Sequence, residues 1–406
     1  MKLLVIGILL FTFVVERVLN YLNIKNWNPV VPEPLRDTYT DEKYSKARDY
    51  AVANYTFDTY SSTYSMMLLL GMLLFGGFGV LDEWLRSYTE NPVLLALAFF
   101  GILSVASDLL TIPFSIYHVF VLEEKFGFNK MTVKTFLLDK LKGYLIGAIL
   151  GGLVLFVLIK LLAITGDYFA LFAWLFMIVI MMFGTMFYAS WILPLFNKLT
   201  PLPEGELRTA IEDYSKQNNF PLANLYVMDG SKRSAKANAF FSGLGKKKKI
   251  VLYDTLINNH TTEELVAVLA HEIGHYKLKH TRSGLISGIV NIGIMLFLFS
   301  KIQGSSLLSE ALSANQPSFH ISLLAFSLLY SPLSMLIGIY LHRMSRKYEF
   351  QADSFARITY AAQPLISALK KLSADSLSNL TPHPAYVYVH YSHPPLLQRI
   401  ERLEVV

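Results

Sequence analysis

Apolar and polar positions are unevenly spread along the chain. Seven stretches are apolar over about the twenty residues that a membrane-spanning helix needs. They run roughly over 3–22, 63–81, 93–122, 143–165, 168–196, 283–302 and 318–342. The first is interrupted by Glu16 and Arg17. No clear small-residue cleavage site follows it, which favours a retained span over a signal peptide. Between the fifth and sixth stretches the pattern changes. Residues 205–219 have helical periodicity, 224–230 and 248–256 read as strands ending in turns, and 261–280 reads as a helix. Thr261 or Thr262 is its N-cap, and glutamates fill its first turn. No internal repeat or low-complexity tract is evident. The pattern predicts a mostly α fold: a seven-span transmembrane helical bundle or barrel with an inserted small α/β domain. Its expected segments are 1–196 with five spans, 197–282 as the insertion, 283–343 with two further spans, and 344–406 as C-terminal helices.

Composition supports that reading. Of 406 residues, 53% are hydrophobic and 16% charged, more apolar and less charged than an ordinary soluble domain. There is no cysteine, which excludes disulfides and a thiol nucleophile. The net charge is +6, with no basic stripe interleaved with aromatics, so no nucleic-acid partner is expected. The basic residues are better read as topology. Lys25, Arg36, Lys43, Lys46 and Arg48 precede the second stretch, and Lys125, Lys130, Lys134, Lys140 and Lys142 follow the third. The alternate loops carry only Arg86 and Lys301. The expectation is an integral multi-pass membrane protein with its N-terminus outside. Residues 197–282 and the C-terminal segment then face the cytoplasm. The bacterial inner membrane and the endoplasmic reticulum both fit. Short loops and the lack of an evident retrieval signal lean towards the former.

The chemistry sits in HEIGH, His271 to His275. Residues four apart share one helical face, so His271 and His275 can aim at one point. With Glu272 between them they form the HExxH zinc-peptidase pattern. A catalytic zinc takes three protein ligands and leaves one position open. Coordination lowers the pKa of a bound water to about 7, and Glu272 would act as the base. His280 lies nine residues past His271 and, on an unbroken helix, faces about 180° away. It is therefore read as a solvated or interfacial residue. The better third ligand is Glu349, in RKYEFQADSFA (346–356). Asp353 is four residues further on, placed to accept the second N–H of a ligand histidine. Two spans separate HEIGH from this segment, so both emerge on one side of the membrane. An acidic pair there also fits a plain surface face.

HEIGH, EFQAD and SHPP (392–395), with EEKFGFNKMT (123–132) and the 231–243 stretch, together resemble the type-I CaaX prenyl protease family of integral-membrane zinc metalloproteases. The resemblance implies zinc, one per chain, on His271, His275 and Glu349, with Glu272 as catalytic base and Asp353 behind the ligands. It implies that Asn238 holds the substrate backbone, and that His393 and Arg399 assist catalysis at the scissile carbonyl. Read alone, Asn238 fits a turn, His393 a rigid helix start and Arg399 a solvated charge. Members often carry His and Ser just before the asparagine, where this chain has Lys236 and Ala237. The family fold implies seven helices around a water-filled chamber.

The function so implied is removal of the last three residues of prenylated CaaX proteins or peptides, in contact with membrane lipid. The alternatives are a membrane quality-control metalloprotease, and a channel or scaffold with a vestigial metal site. Glu16, Asp108, His118 and Lys160 lie in or near spans, where ionisable groups usually face a bundle interior. The glycines at 71, 76, 77, 79, 147, 151 and 152 are read as close helix contacts. The Lys246–Lys249 run is read as a solvated turn, with anionic lipid as a weaker partner. A strand nearby is placed to pair with an extended substrate.

Overall fold

The computed structural model describes residues 1–220, 224–242 and 249–405. Its first half is helical: α1 (Lys2–Lys25), α2 (Asp41–Leu74), α3 (Gly77–Arg86), α4 (Pro92–Tyr117), α5 (Val133–Thr165) and α6 (Phe169–Phe187). Local chemistry sets the starts. The Thr40 hydroxyl accepts the Lys43 amide at the head of α2, with Asp41 and Glu42 in the first turn. Asn91 accepts from Val93 and Leu94, with Pro92 at the first helical position of α4.

Five helical segments among the described residues are long and apolar enough to cross a membrane: Lys2–Lys25, Pro92–Phe126, Val133–Phe196, His280–Ile302 and Phe319–Thr359. A sixth arises if α2 and α3 are taken together. Two of the seven expected stretches, 143–165 and 168–196, fall within the single segment Val133–Phe196, which turns at Gly166 (φ +50°) between α5 and α6. The stretch 63–81 is not straight. It straddles a 62° bend between α2 and α3. Gly76 adopts φ +71° there, and a Cβ on Gly79 would lie 1.9 Å from the Ser313 carbonyl oxygen. Gly71, Gly147 and Gly151, by contrast, have nothing within 4 Å of a built Cβ, so the expectation that they mark close contacts fails. Of the polar groups in or near spans, Glu16 pairs with His390 at 3.3 Å and Asp108 with Lys140 and Tyr144. His118 reaches Asn54 at 3.3 Å. Lys160 is exposed.

The polar middle of the chain folds as β1 (Leu199–Pro201), α7 (Glu206–Gln217), β2 (Leu225–Met228), β3 (Ala239–Ser242) and β4 (Lys249–Tyr253). The sheet order is β1-β2-β4-β3, with β2 and β4 parallel and both outer pairs antiparallel. Strands β1 and β3 were not legible as strands; each is only three or four residues long. Lys246–Lys248 of the lysine run lie outside the described residues, and Lys249 begins β4. After the sheet come α8 (Thr262–Lys277), α9 (His280–Ile302), α10 (Phe319–Thr359), α11 (Ala362–Asp375), α12 (Pro384–His390) and α13 (Leu396–Glu404). One hydrophobic core joins the sheet to α7, α8, α11 and α13 and to Trp27, Val31, Leu35, Tyr39 and Tyr44 near the N-terminus. That core fixes the helix carrying HEIGH against the sheet. Exposed apolar residues are frequent elsewhere, on α5 and α6, such as Ile149 and Val179.

Candidate metal centre

Helix α8 starts with a capping box. Thr261 accepts the Glu264 amide, and the Glu264 carboxylate accepts the Thr261 amide. The same buried carboxylate takes hydrogen bonds from Ser367 and Lys371 of α11. Burial alone would raise its pKa, but these donors hold it below the usual glutamate range. The helix is then clamped by its own apolar residues, with Leu265, Val266, Leu269, Ala270 and Ile273 all buried. Gly274 permits the closest approach to α10: a Cβ there would sit 3.2 Å from the Ala352 Cα. This contact brings Glu349 and Asp353 alongside the two histidines.

The geometry is compact. His271 Nε2 lies 3.1 Å from His275 Nε2. Glu349 Oε2 is 3.4 Å from His271 Nε2, and its Oε1 is 3.2 Å from His275 Nε2. Three such ligand atoms all lie within 4.8 Å of one another. A tetrahedral zinc with bonds of about 2.05 Å separates its ligand atoms by about 3.3 Å, which these distances match. Glu349 Oε2 is buried without a hydrogen-bond partner among the described residues. Buried acceptors are normally satisfied, so an unpartnered carboxylate oxygen beside the His271 imidazole fits a cation. His271 points the same way. Burial opposes its positive form, yet the carboxylates of Asp353 and Glu349 outweigh it and hold the ring up to about 9. A carboxylate thus faces each ring nitrogen, Asp353 at Nδ1 and Glu349 at Nε2.

Behind the ligands, His271 Nδ1 donates to Asp353 Oδ1 at 2.8 Å. Asp353 is in turn gripped by Arg399 of α13, through Nε at 2.8 Å and Nη2 at 2.6 Å. Arg399 is 8% exposed, so it is not a solvated charge. Its Nη1 lies 3.7 Å from Glu349 Oε2. In front, a cavity of about 1190 Å³ is lined by Glu272, His275, Glu349 and His393, with Ala239 and Phe240 of β3 along one wall. Burial pushes the Glu272 carboxyl above its usual range, against the pull of His271 and His275. His393 Nε2 is 3.3 Å from Glu349 Oε1. Asn238 stands exposed just before β3, its side-chain oxygen accepting the Ala239 amide at 2.8 Å. No contact between Asn238 and the ligands is seen among the described residues.

Two features differ from or add to the sequence reading. Helix α8 ends at Lys277, and Lys279 adopts φ +61°. The chain therefore breaks before His280, which is buried and returns to within 3.1 Å of His275, Nδ1 to Nδ1. The expectation of a solvated His280 facing away is overturned, because it assumed an unbroken helix. The run of lysines at 277 and 279 was the available sign of a helix end. Lys236, where the family often has histidine, turns from the ligands and bonds Tyr50 Oη at 2.9 Å and Glu123 at 3.0 Å, over the Phe128 ring.

Residues 20–198 match the family described as CAAX prenyl protease N-terminal, five membrane helices, and residues 201–406 match peptidase family M48. The chain is 36% identical to CAAX prenyl protease 1 homolog from Oryza sativa subsp. japonica, over 95% of this chain and 93% of that protein. It is 35% identical to CAAX prenyl protease 1 homolog from Homo sapiens, over 93% and 89%. A crystal structure of Ste24p from S. mikatae superposes with a TM-score of 0.94 at 33% identity, covering 100% of this chain and 99% of that one. With helices of membrane-spanning character, three side chains on two packed helices that could hold a metal ion, and relatives matched nearly end to end, the chain belongs to the CAAX prenyl protease 1 branch of peptidase family M48.

Proposed function

We propose that this chain is a zinc endopeptidase that cuts the last three residues from proteins or peptides ending in a CaaX sequence with a prenylated cysteine. The observation that carries it is the convergence of His271, His275 and Glu349 beside Glu272 on one large cavity. His271, His275 and Glu349 would hold a zinc ion, which would supply Lewis acidity at the site. Glu272 takes the proton of the attacking water and passes it to the departing amine; its raised pKa suits it to carry that proton. His393, at the cavity rim, donates to the carbonyl oxygen as charge develops. Arg399 acts from behind, fixing Asp353 and through it the His271 ring. Strand β3 lies at an edge of the sheet with Ala239 and Phe240 on the cavity wall. An extended substrate adds to that edge, with Asn238 holding its backbone at one end. In this reading Val133–Phe196 crosses the bilayer twice and the α2–α3 pair once, giving seven passes around a chamber. The N-terminus is outside and the site faces the cytoplasm.

The test is a cleavage assay of the purified protein on a farnesylated CaaX peptide, its unprenylated twin and an unfolded protein, with and without chelator. Chelator-sensitive release of a tripeptide, favouring the farnesylated peptide, is expected. Preference for the unfolded protein would replace this reading with quality control, and no cleavage of any substrate would leave a non-catalytic role. Glu272→Gln should keep its zinc, read by metal analysis, and lose about 10²–10⁴ in turnover. Normal turnover would remove Glu272 from the mechanism.

A further inference from the structure

His271 has an obvious anchor in Asp353, whereas His275 has no carboxylate at its back among the described residues. An imidazole that ligates through Nε2 must carry its proton on Nδ1, and the partner of that Nδ1–H sets the tautomer. The atom facing His275 Nδ1 is His280 Nδ1, at 3.1 Å. Two nitrogens at that distance share one proton, so one donates and the other accepts. His280's other nitrogen, Nε2, lies 3.0 Å from Gln351 Oε1, a carbonyl-type oxygen that can only accept. In this orientation of the Gln351 amide, His280 holds its proton on Nε2 and leaves Nδ1 as a bare acceptor. Its ring is fixed in that plane by stacking on Tyr348, centroids 4.2 Å apart and 14° from parallel. The Tyr348 hydroxyl is held in turn by Ser283 at 2.6 Å.

We infer that His280 and Gln351 form a one-way relay of hydrogen bonds that holds His275 in the tautomer with Nε2 free to ligate. His280 is then a positioning residue, neither a ligand nor a bystander. Reversing the relay, with the Gln351 amide turned to donate, would place the proton on His275 Nε2 and block ligation. The inference rests on the metal site proposed above, but it concerns the strength of binding and not the reaction.

The test is competitive zinc titration of the detergent-solubilised full-length protein against a fluorescent chelator, after metal stripping. His280→Phe keeps a ring to stack on Tyr348 but removes the acceptor; zinc affinity should fall about 10–100-fold. His280→Asn puts a side-chain oxygen near the position of Nδ1 and should recover most of that loss. Gln351→Leu should weaken binding, and Gln351→Glu, which keeps an acceptor, should not. Gln351 is exposed, so this second pair reads the relay even if His280 variants fold poorly. Unchanged affinity in His280→Phe, equal loss in His280→Phe and His280→Asn, or indifference to Gln351→Leu would each overturn the relay. Absence of zinc binding by the unsubstituted chain would instead overturn the metalloprotease reading.

Discussion

Among the described residues two buried histidine–aspartate pairs are each bound by an arginine, and α10 contributes to both. Near its start, His320 donates Nε2–H to Asp82 at 2.6 Å, and Asp82 is bound by Arg86 Nε at 2.9 Å. Near its end, Asp353 joins His271 to Arg399. The two aspartates lie in equally dry surroundings, each 1% exposed. The difference is which ring nitrogen the carboxylate takes. Asp82 takes Nε2, the far end of the ring, with the Phe99 ring tilted against the imidazole at 4.8 Å. Asp353 takes Nδ1 and leaves Nε2 pointing at His275 and Glu349. The same three side-chain types thus make a structural tie in one place and, in the other, leave a ring nitrogen turned towards the site. A histidine–aspartate pair is not a sign of chemistry until the free nitrogen has something to face.

The largest effects should separate the two groups. Asp353→Asn leaves Arg399 buried beside a neutral amide and frees the His271 ring. Stability should fall by about 3–5 kcal/mol, read by thermal unfolding in detergent, and zinc affinity by about 10–100-fold. Asp82→Asn should also destabilise, by about 1.5–3 kcal/mol for a charged hydrogen bond. It should leave zinc content and peptide turnover of the surviving folded protein within twofold. A matching zinc loss in Asp82→Asn would show that the two groups are coupled through α10, and the contrast would fail. The smallest effect is expected at the edge of the site. Lys236→Met breaks a half-exposed pair with Glu123, worth about 0–1 kcal/mol. Because Lys236 lies two residues before Asn238, KM for a CaaX peptide should rise with little change in unfolding temperature. A fall in kcat alone would place Lys236 closer to the chemistry than its hydrogen bonds do.

Much of this was legible in the chain because the strongest signals are local. Long apolar runs and a capped amphipathic start identify most of the spanning helices and α8, and the four-residue spacing places His271 with His275 and Glu349 with Asp353. What failed depends on contacts distant in sequence. The bend at Gly76 reflects Ser313, more than two hundred residues away. Short strands such as β1 carry too few residues to show a period. His280 was misplaced because one left-handed residue, Lys279, reverses what a helical wheel reports. Arg399 looked like an ordinary surface charge, since nothing in the sequence of α13 announces the carboxylate that receives it.

HExxH leaves two letters open, and in this chain they are Ile273 and Gly274. Neither is free in practice. Ile273 is fully enclosed, and a methyl group on Gly274 would press on the Phe355 side chain and the Ala352 backbone. The spelling between the histidines is therefore dictated by the helix next door, which must come near enough to bring its glutamate into reach. A pattern written only from reactive side chains discards that half of the message: the unspecified positions record how far apart the two rods stand.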